Sequence, residues 1–262
     1  MILSLVLLSV VLFIFCIFFY LKYQRLALQL TSTQNTDTER LIADLSHELR
    51  TPLTSIKLQL YKLTLNNADQ TKKNQQKLEQ KVLEIERLLD ELTQLSRCEI
   101  KGITSKSRSY NASHYFEQQV RDLTHFFNQH GVIFASYIEL PLTLQVCLNN
   151  QLVSSLFKRL AENSVRHSKP TAEVHLRILS AKSHVVIEFE DTSPGVSEAE
   201  LNNIFKGLYR VDKSRNRATG GAGFGLTICK RIVEAHDGTI NAQPSHLGGL
   251  KIHIKLPCTE SF

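Results

Sequence analysis

Ser46-His47-Glu48-Leu49-Arg50-Thr51-Pro52-Leu53 is the stretch on which the reading of this chain turns. It stands inside a run of apolar residues, Ile42, Leu45, Leu49, Ile56, Leu60 and Leu63 with Leu53 beside them. Their spacing of three and four predicts a helix that buries one seam. His47 is two residues from both Leu45 and Leu49, about 200° around a helix of roughly 3.6 residues per turn, so it points away from that seam toward water. Pro52 removes one backbone donor and crowds the carbonyl of Glu48, and the helix is expected to bend or loosen beside the histidine. A proline in a helix interior costs about 3 kcal/mol, a large penalty to carry without a use. From these residues alone, His47 reads either as a solvated surface histidine beside a kink or as a reactive one.

The polar stretch Thr64 to Asn74 interrupts the seam, which resumes at Leu78, Val82, Ile85, Leu89 and Leu92, with Leu88 and Leu95 widening it. Two antiparallel helices joined by a loop, spanning residues 37–100, are the natural reading. A lone hairpin buries too little apolar surface to stand by itself, so two of them closing into a four-helix bundle, and hence a homodimer, are expected.

On the N-terminal side, Met1 to Leu21 contains no charged residue. As a helix it is about 31 Å long, against a hydrocarbon core of roughly 30 Å. It lacks the basic start and small-residue cleavage site of a signal peptide, which favours a retained, single-pass anchor over residues 1–21. Phe18, Phe19 and Tyr20 followed by Lys22 and Arg25 form an interfacial belt with the positive charge on the C-terminal side. A juxtamembrane linker over 22–36 and cytoplasmic domains beyond it are therefore expected. The five cysteines are scattered with no C-x-x-C pair, which fits a reducing compartment and argues against a disulfide framework or zinc site.

On the C-terminal side, a polar linker over 101–110 gives way to an α/β pattern over 111–258. Alternation marks strands at Ala172 to Ile178, Val185 to Phe189 and Gly249 to Leu256. Three clusters stand out in it. Glu162-Asn163 lies on a helical stretch from Leu156 to Ser168, Asp191-Thr192-Ser193-Pro194-Gly195 follows a strand, and Gly220-Gly221-Ala222-Gly223-Phe224-Gly225-Leu226 opens a helix running to about His236. A glycine turn entering a helix can present N–H groups and a positive helix end to phosphates, but such turns also serve plain loops. No Lys-Ser/Thr follows the glycines as in a P-loop, and no βαβ start precedes them as in a dinucleotide fold. Between the last two clusters, Lys206, Arg210, Lys213, Arg215 and Arg217 oppose the single acid Asp212.

The octet from Ser46 to Leu53 resembles the phosphoacceptor box of bacterial sensor histidine kinases, on the helical hairpin that family requires. The ordered Asn, Asp-x-x-x-Gly, basic-lid and Gly-x-Gly-x-Gly clusters resemble the ATP-binding domain that these kinases share with DNA gyrase, heat-shock chaperones and mismatch-repair ATPases. The resemblance covers residues 40 to 257 and leans toward membrane kinases of the envelope-stress type. It implies an α+β chain: an N-terminal transmembrane helix, a helical hairpin forming a dimeric four-helix bundle, and an α/β sandwich that binds ATP.

By the same resemblance His47 is the autophosphorylated residue, Glu48 the adjacent base, and Thr51 the residue that positions water when the regulator is dephosphorylated. Asn163 is the magnesium ligand bridging the ATP phosphates, with Glu162 beside it. Asp191 accepts from the adenine amino group and Gly195 leaves room for the base. Gly221, Gly223 and Gly225 admit the triphosphate, Lys213 and Arg215 belong to the lid, and Arg166 and His167 stand near the nucleotide. The implied partner is the receiver domain of a response regulator, and the implied site is the bacterial inner membrane.

Three departures accompany it. Arg159 stands where most relatives carry a second Asn, Ser193 replaces a common Gly, and Leu208 replaces a common aromatic. Only 23 residues lie between Tyr23 and His47, too few for a sensor module. A weakened or shortened relative, acting as a phosphatase or an ATP-binding membrane scaffold, is the alternative.

Charge fits this reading. Of the net +6, the hairpin from Asp37 to Glu99 contributes none, because its ten basic residues face eleven acidic ones. The excess sits in the basic segment from Phe205 to Arg217, so it points to a phosphorylated ligand and away from nucleic acid, for which the chain shows no reading helix.

Overall fold

The computed structural model describes residues 49–58, 76–93 apart from 84, 87 and 92, 107–167, 171–207, 209 and 223–260. The apolar stretch 1–21, His47, Glu48, Lys213, Arg215 and Gly221 lie outside these residues. Among the described residues no helix is long and apolar enough to cross a membrane. The chain divides into two compact units, residues 1–78 and 79–262.

In the first unit, helix α1 (49–58) continues on both sides of Pro52, which is itself buried. The Thr54 hydroxyl donates to the Arg50 carbonyl at 2.8 Å, one of the local bonds a Thr can make inside a helix. Ile56 is buried and Thr51 exposed, as the seam requires, whereas Leu53 lies at the water-facing edge of the stripe. Helix α2 (76–93), which lies in the second unit from Glu79 onward, has Leu78 and Leu88 buried.

The α/β fold begins with strand β1 (Arg108–Asn111), whose first three residues fall within the stretch 101–110 read as linker. Asn111 then caps helix α3 (Ala112–Gln129), its side chain accepting from the His114 N–H at 3.0 Å. Strands β2 (Ile133–Glu139) and β3 (Leu144–Leu148) follow, then helix α4 (Asn150–His167), the hairpin β4 (Glu173–Ala181) and β5 (His184–Asp191), helix α5 (Gly225–Glu234), and β6 (Thr239–Pro244), β7 (Leu250–Pro257) and β8 (Thr259–Glu260). A five-stranded sheet has the order β2-β4-β5-β7-β6, with β2 parallel to β4 and the other pairs antiparallel. A smaller antiparallel sheet is ordered β1-β3-β8.

Period-two alternation decides which face of the large sheet is covered. Val174, Leu176 and Ile178 on β4, Val185, Ile187 and Phe189 on β5, and Ile252, Ile254 and Leu256 on β7 are all buried. The helices close over this face. Phe127 of α3 stacks on Phe134 of β2 with ring centres 4.9 Å apart and reaches Phe189 at 6.4 Å, and Phe116 meets Phe157 of α4 edge-on at 6.2 Å. The opposite face is polar. Lys251 lies 2.9 Å from Glu188 and 3.3 Å from Glu190, and Arg177 lies 3.4 Å from Glu188.

Candidate nucleotide site

Three of the residues singled out from sequence converge where β5 ends. Asp191 is the last residue of the strand, and its parity turns it to the helix-covered face, where it is 3% exposed. A buried carboxylate must be hydrogen-bonded. Its Oδ1 accepts from the Ser193 N–H at 3.1 Å, the Ser193 hydroxyl at 2.6 Å and the Leu250 N–H at 3.0 Å, and its Oδ2 accepts from the Ser164 hydroxyl at 2.6 Å. All four donors are neutral, so the negative charge is oriented without being cancelled. Two carboxylate oxygens offer about four lone-pair positions. Oδ1 is crowded with three donors, while Oδ2 carries one and keeps capacity for a donor from a ligand.

The Ser164 bond also brings the helix motif to the strand motif. Ser164 follows Asn163 on α4, so one hydrogen bond ties the Asn helix to the Asp turn across 27 residues. Asn163 is half-buried. Its neighbour Glu162 pairs with Lys158 at 3.8 Å along the exposed side of the helix, a surface pair of small energetic weight. Arg159, half-buried, precedes Asn163 by one turn, and Arg166 and His167 are exposed at the end of the helix.

The turn after Asp191 is shaped by glycine. Gly195 has φ +70°, and a Cβ there would sit 3.4 Å from the carbonyl oxygens of Gly248 and Gly249. Gly249 packs against Asp191 itself, since a Cβ would come within 2.6 Å of the carboxylate oxygen and of the Ser193 nitrogen. Ser164, Gly249 and the Leu250 N–H are site residues that the sequence reading missed. The Gly248-Gly249 pair opening a strand was the available signal, because a strand that begins with two glycines marks close backbone approach.

The glycine cluster leads into α5. Gly223 takes φ +83°, and the helix starts at Gly225 with Phe224 as its cap. Phe224 makes no side-chain capping bond, and no acid stands in the first turn. The first amides of α5 therefore retain donor capacity and the positive end of the helix dipole, in the arrangement that receives anions. Upstream, the start of the basic segment is fixed by Glu200, which accepts from Ser197 at 2.7 Å and Tyr209 at 3.1 Å. Ile204 and Phe205 anchor the same stretch in the core. No cluster of three His, Cys, Asp or Glu able to hold a metal occurs among the described residues.

With this geometry in place, comparison with known proteins is direct. Residues 149–260 match the family described as histidine kinase-, DNA gyrase B- and HSP90-like ATPase, and residues 37–99 match the His Kinase A phospho-acceptor domain. The chain belongs to the sensor histidine kinases. It is 32% identical over 235 residues to the signal transduction histidine-protein kinase BaeS of Escherichia coli K12, a match covering 90% of this chain and 50% of BaeS. It thus spans about half the length of that relative. Its fold resembles that of histidine kinase ThkA in complex with response regulator protein TrrA, with TM-score 0.62, 16% identity and coverage of 85% of this chain and 64% of that one. It also resembles full-length ShkA in complex with AMPPNP, with TM-score 0.56, 23% identity and coverage of 85% and 46%.

Proposed function

We propose that this chain is an ATP-dependent protein-histidine kinase that phosphorylates its own His47 and passes the phosphoryl group to an aspartate of a response-regulator receiver domain. The observation that carries the proposal is the Asp191 cage. A buried carboxylate with a spare lone pair on Oδ2, tied through Ser164 to the helix that carries Asn163, in a unit that also offers a helix start without a side-chain cap, is suited to a ligand with an amino-bearing base at one end and phosphates at the other. ShkA, which shares the fold, binds the ATP analogue AMPPNP, and ThkA binds a response regulator.

In the proposed reaction an imidazole nitrogen of His47 attacks the γ-phosphorus of ATP, the bond to the β,γ-bridging oxygen breaks, and ADP leaves. Glu48 takes the ring proton and stabilises the charge that develops on the imidazole. Asp191 holds the adenine, Gly195 and Gly249 leave it room, and the α5 amides behind Gly221, Gly223 and Gly225 hold the phosphates, with Lys213 and Arg215 closing over them. Magnesium, held through the phosphates and Asn163, would neutralise charge on the transferring group. Thr51, exposed on α1, would position water when the regulator is dephosphorylated. Residues 1–21 would anchor a homodimer in the bacterial inner membrane as a single span.

Incubating the full chain with γ-labelled ATP and magnesium tests this. Acid-labile, base-stable label that disappears in His47→Ala is expected, and label that persists in that variant overturns it. The departure at Arg159 favours one second reading, because a cation one turn from Asn163 alters the phosphate end. A chain that dephosphorylates the regulator or serves as an ATP-binding scaffold would bind ATP yet leave His47 unlabelled.

A further inference from the structure

His236 stands just past the far end of the helix that the glycine motif opens and is not one of the motif residues, yet it is among the most constrained polar side chains in the α/β unit. It is 8% exposed, just past the end of α5, and bonded at both ring nitrogens. The backbone N–H of Asn149 lies 3.0 Å from Nε2, and the carbonyl of Ile232 lies 2.7 Å from Nδ1. An amide N–H can only donate and a carbonyl can only accept, so Nδ1 carries the proton and Nε2 is the acceptor. Asn149 is the residue that caps α4, its carbonyl receiving the N–H of Val153 at 3.0 Å. One neutral ring thus joins the residue that caps the Asn163 helix to the last turn of the glycine-motif helix.

The register of the two helices follows. Asn149 meets His236, and seven residues farther along α4 the Leu156 carbonyl meets the Cys229 thiol, seven residues earlier in α5, at 3.9 Å. The helices therefore run antiparallel in step. Continued by the same interval, that step brings Asn163 level with the start of α5, about 20 Å from His236 along the axis. Axial slip at the His236 end would move Asn163 relative to the phosphate-receiving amides by the same amount, because helices transmit displacement rigidly.

We propose that His236 is a positioning residue for nucleotide binding, a proton-sensitive bolt that holds α4 and α5 in the register the pocket needs. The inference rests on the ATP-binding reading above and adds a residue outside the pocket to it. A proton on Nε2 would set two donors face to face and break the Asn149 bond. The surroundings oppose that proton, since burial holds the ring below the ordinary imidazole range despite the opposite pull of the Ile232 carbonyl and of Asp237. Asp237 is the charge acting on it. The first two turns of α4 and strand β6 contribute none, Lys230 and Arg231 on α5 pair with Glu234, and Lys251, His253 and Lys255 on β7 alternate onto the other face of the sheet.

The test is binding of magnesium AMPPNP to the full chain in detergent micelles at about pH 8 and about pH 5, the lower value set well under the ordinary imidazole range because burial holds this ring below it. Wild type, His236→Gln and His236→Leu are compared, and thermal unfolding is followed alongside. Wild type is expected to lose several-fold in affinity on acidification beyond what His236→Gln loses, because glutamine keeps an acceptor that no proton reaches. Titration of the ligand phosphates is common to both and cancels. His236→Leu is expected to bind roughly tenfold more weakly than wild type at the higher pH, with no excess loss at the lower. Equal pH dependence in wild type and His236→Gln, or wild-type affinity in a folded His236→Leu, overturns the proposal while leaving the ATP reading intact. Absence of AMPPNP binding by wild type at both pH values overturns both. If His236→Leu does not fold, the comparison of wild type with His236→Gln decides.

Discussion

Strand β5 ends in two consecutive carboxylates, Glu190 and Asp191, that face opposite sides of the sheet and are stabilised in opposite ways. Glu190 meets the Lys251 ammonium at 3.3 Å and the Ser245 hydroxyl at 3.0 Å, and the same lysine meets Glu188 at 2.9 Å. Asp191, one residue on, is held by four neutral donors. A carboxylate balanced by a cation is spent on the fold, whereas one oriented by dipoles keeps its charge and is available to a ligand. The difference separates a structural acid from a binding one at neighbouring positions, where burial alone does not, since both are under 9% exposed.

The comparison can be broken from either side. The largest effect is expected from Asp191→Asn, which sets an amide against two hydroxyls and two N–H groups and removes the acceptor. AMPPNP affinity should fall by about 100-fold or more, measured by calorimetry. Next comes Lys251→Met, which strands two nearly buried carboxylates. It should cost about 2 kcal/mol of stability in urea unfolding while AMPPNP affinity stays close to wild type. A smaller loss, about fivefold in affinity, is expected for Ser164→Ala, which leaves Oδ2 without its protein donor, and less for Ser193→Ala, because Oδ1 keeps two backbone donors.

The smallest effect is a pH dependence. Burial raises the Glu190 carboxyl, but the bonds from Ser245 and Lys251 outweigh it and hold the group below its ordinary value. The folded state therefore favours the ionised form, and its contribution is present above the ordinary carboxylate range and lost as pH falls through it. Lys251 is shifted the other way. Burial lowers it, but Glu188 and Glu190 outweigh that and raise it, so its contribution is lost only as pH rises beyond the ordinary lysine range. Lys251→Met should flatten the acid limb of the stability curve relative to wild type.

What was legible in the sequence was local. The strands announced themselves by alternation, Asp191 and Gly195 by an acid and a glycine four apart after a strand, and α5 by glycines entering an apolar helix. Asn163 was found by its place in the order of motifs. What escaped was made by the fold. Ser164 reaches Asp191 across 27 residues, the Leu250 N–H across 59, and Asn149 reaches His236 across 87. No window of adjacent residues carries such pairs, because they exist only once β5 and β7 pair and α4 lies beside α5. Ser193 is intermediate. It was visible as a departure from the usual glycine, but its use, two of the four bonds that hold Asp191, required the coordinates.

The most direct measurement is the affinity of wild type and Asp191→Asn for AMPPNP and for its guanine counterpart. A carboxylate with a free lone pair accepts from the amino group of adenine and repels the carbonyl that guanine presents there. Wild type should therefore favour the adenine nucleotide by about 100-fold, and Asp191→Asn should lose most of that preference. Equal binding of the two nucleotides by wild type, or full discrimination surviving in Asp191→Asn, would contradict the assignment of the buried carboxylate to the base.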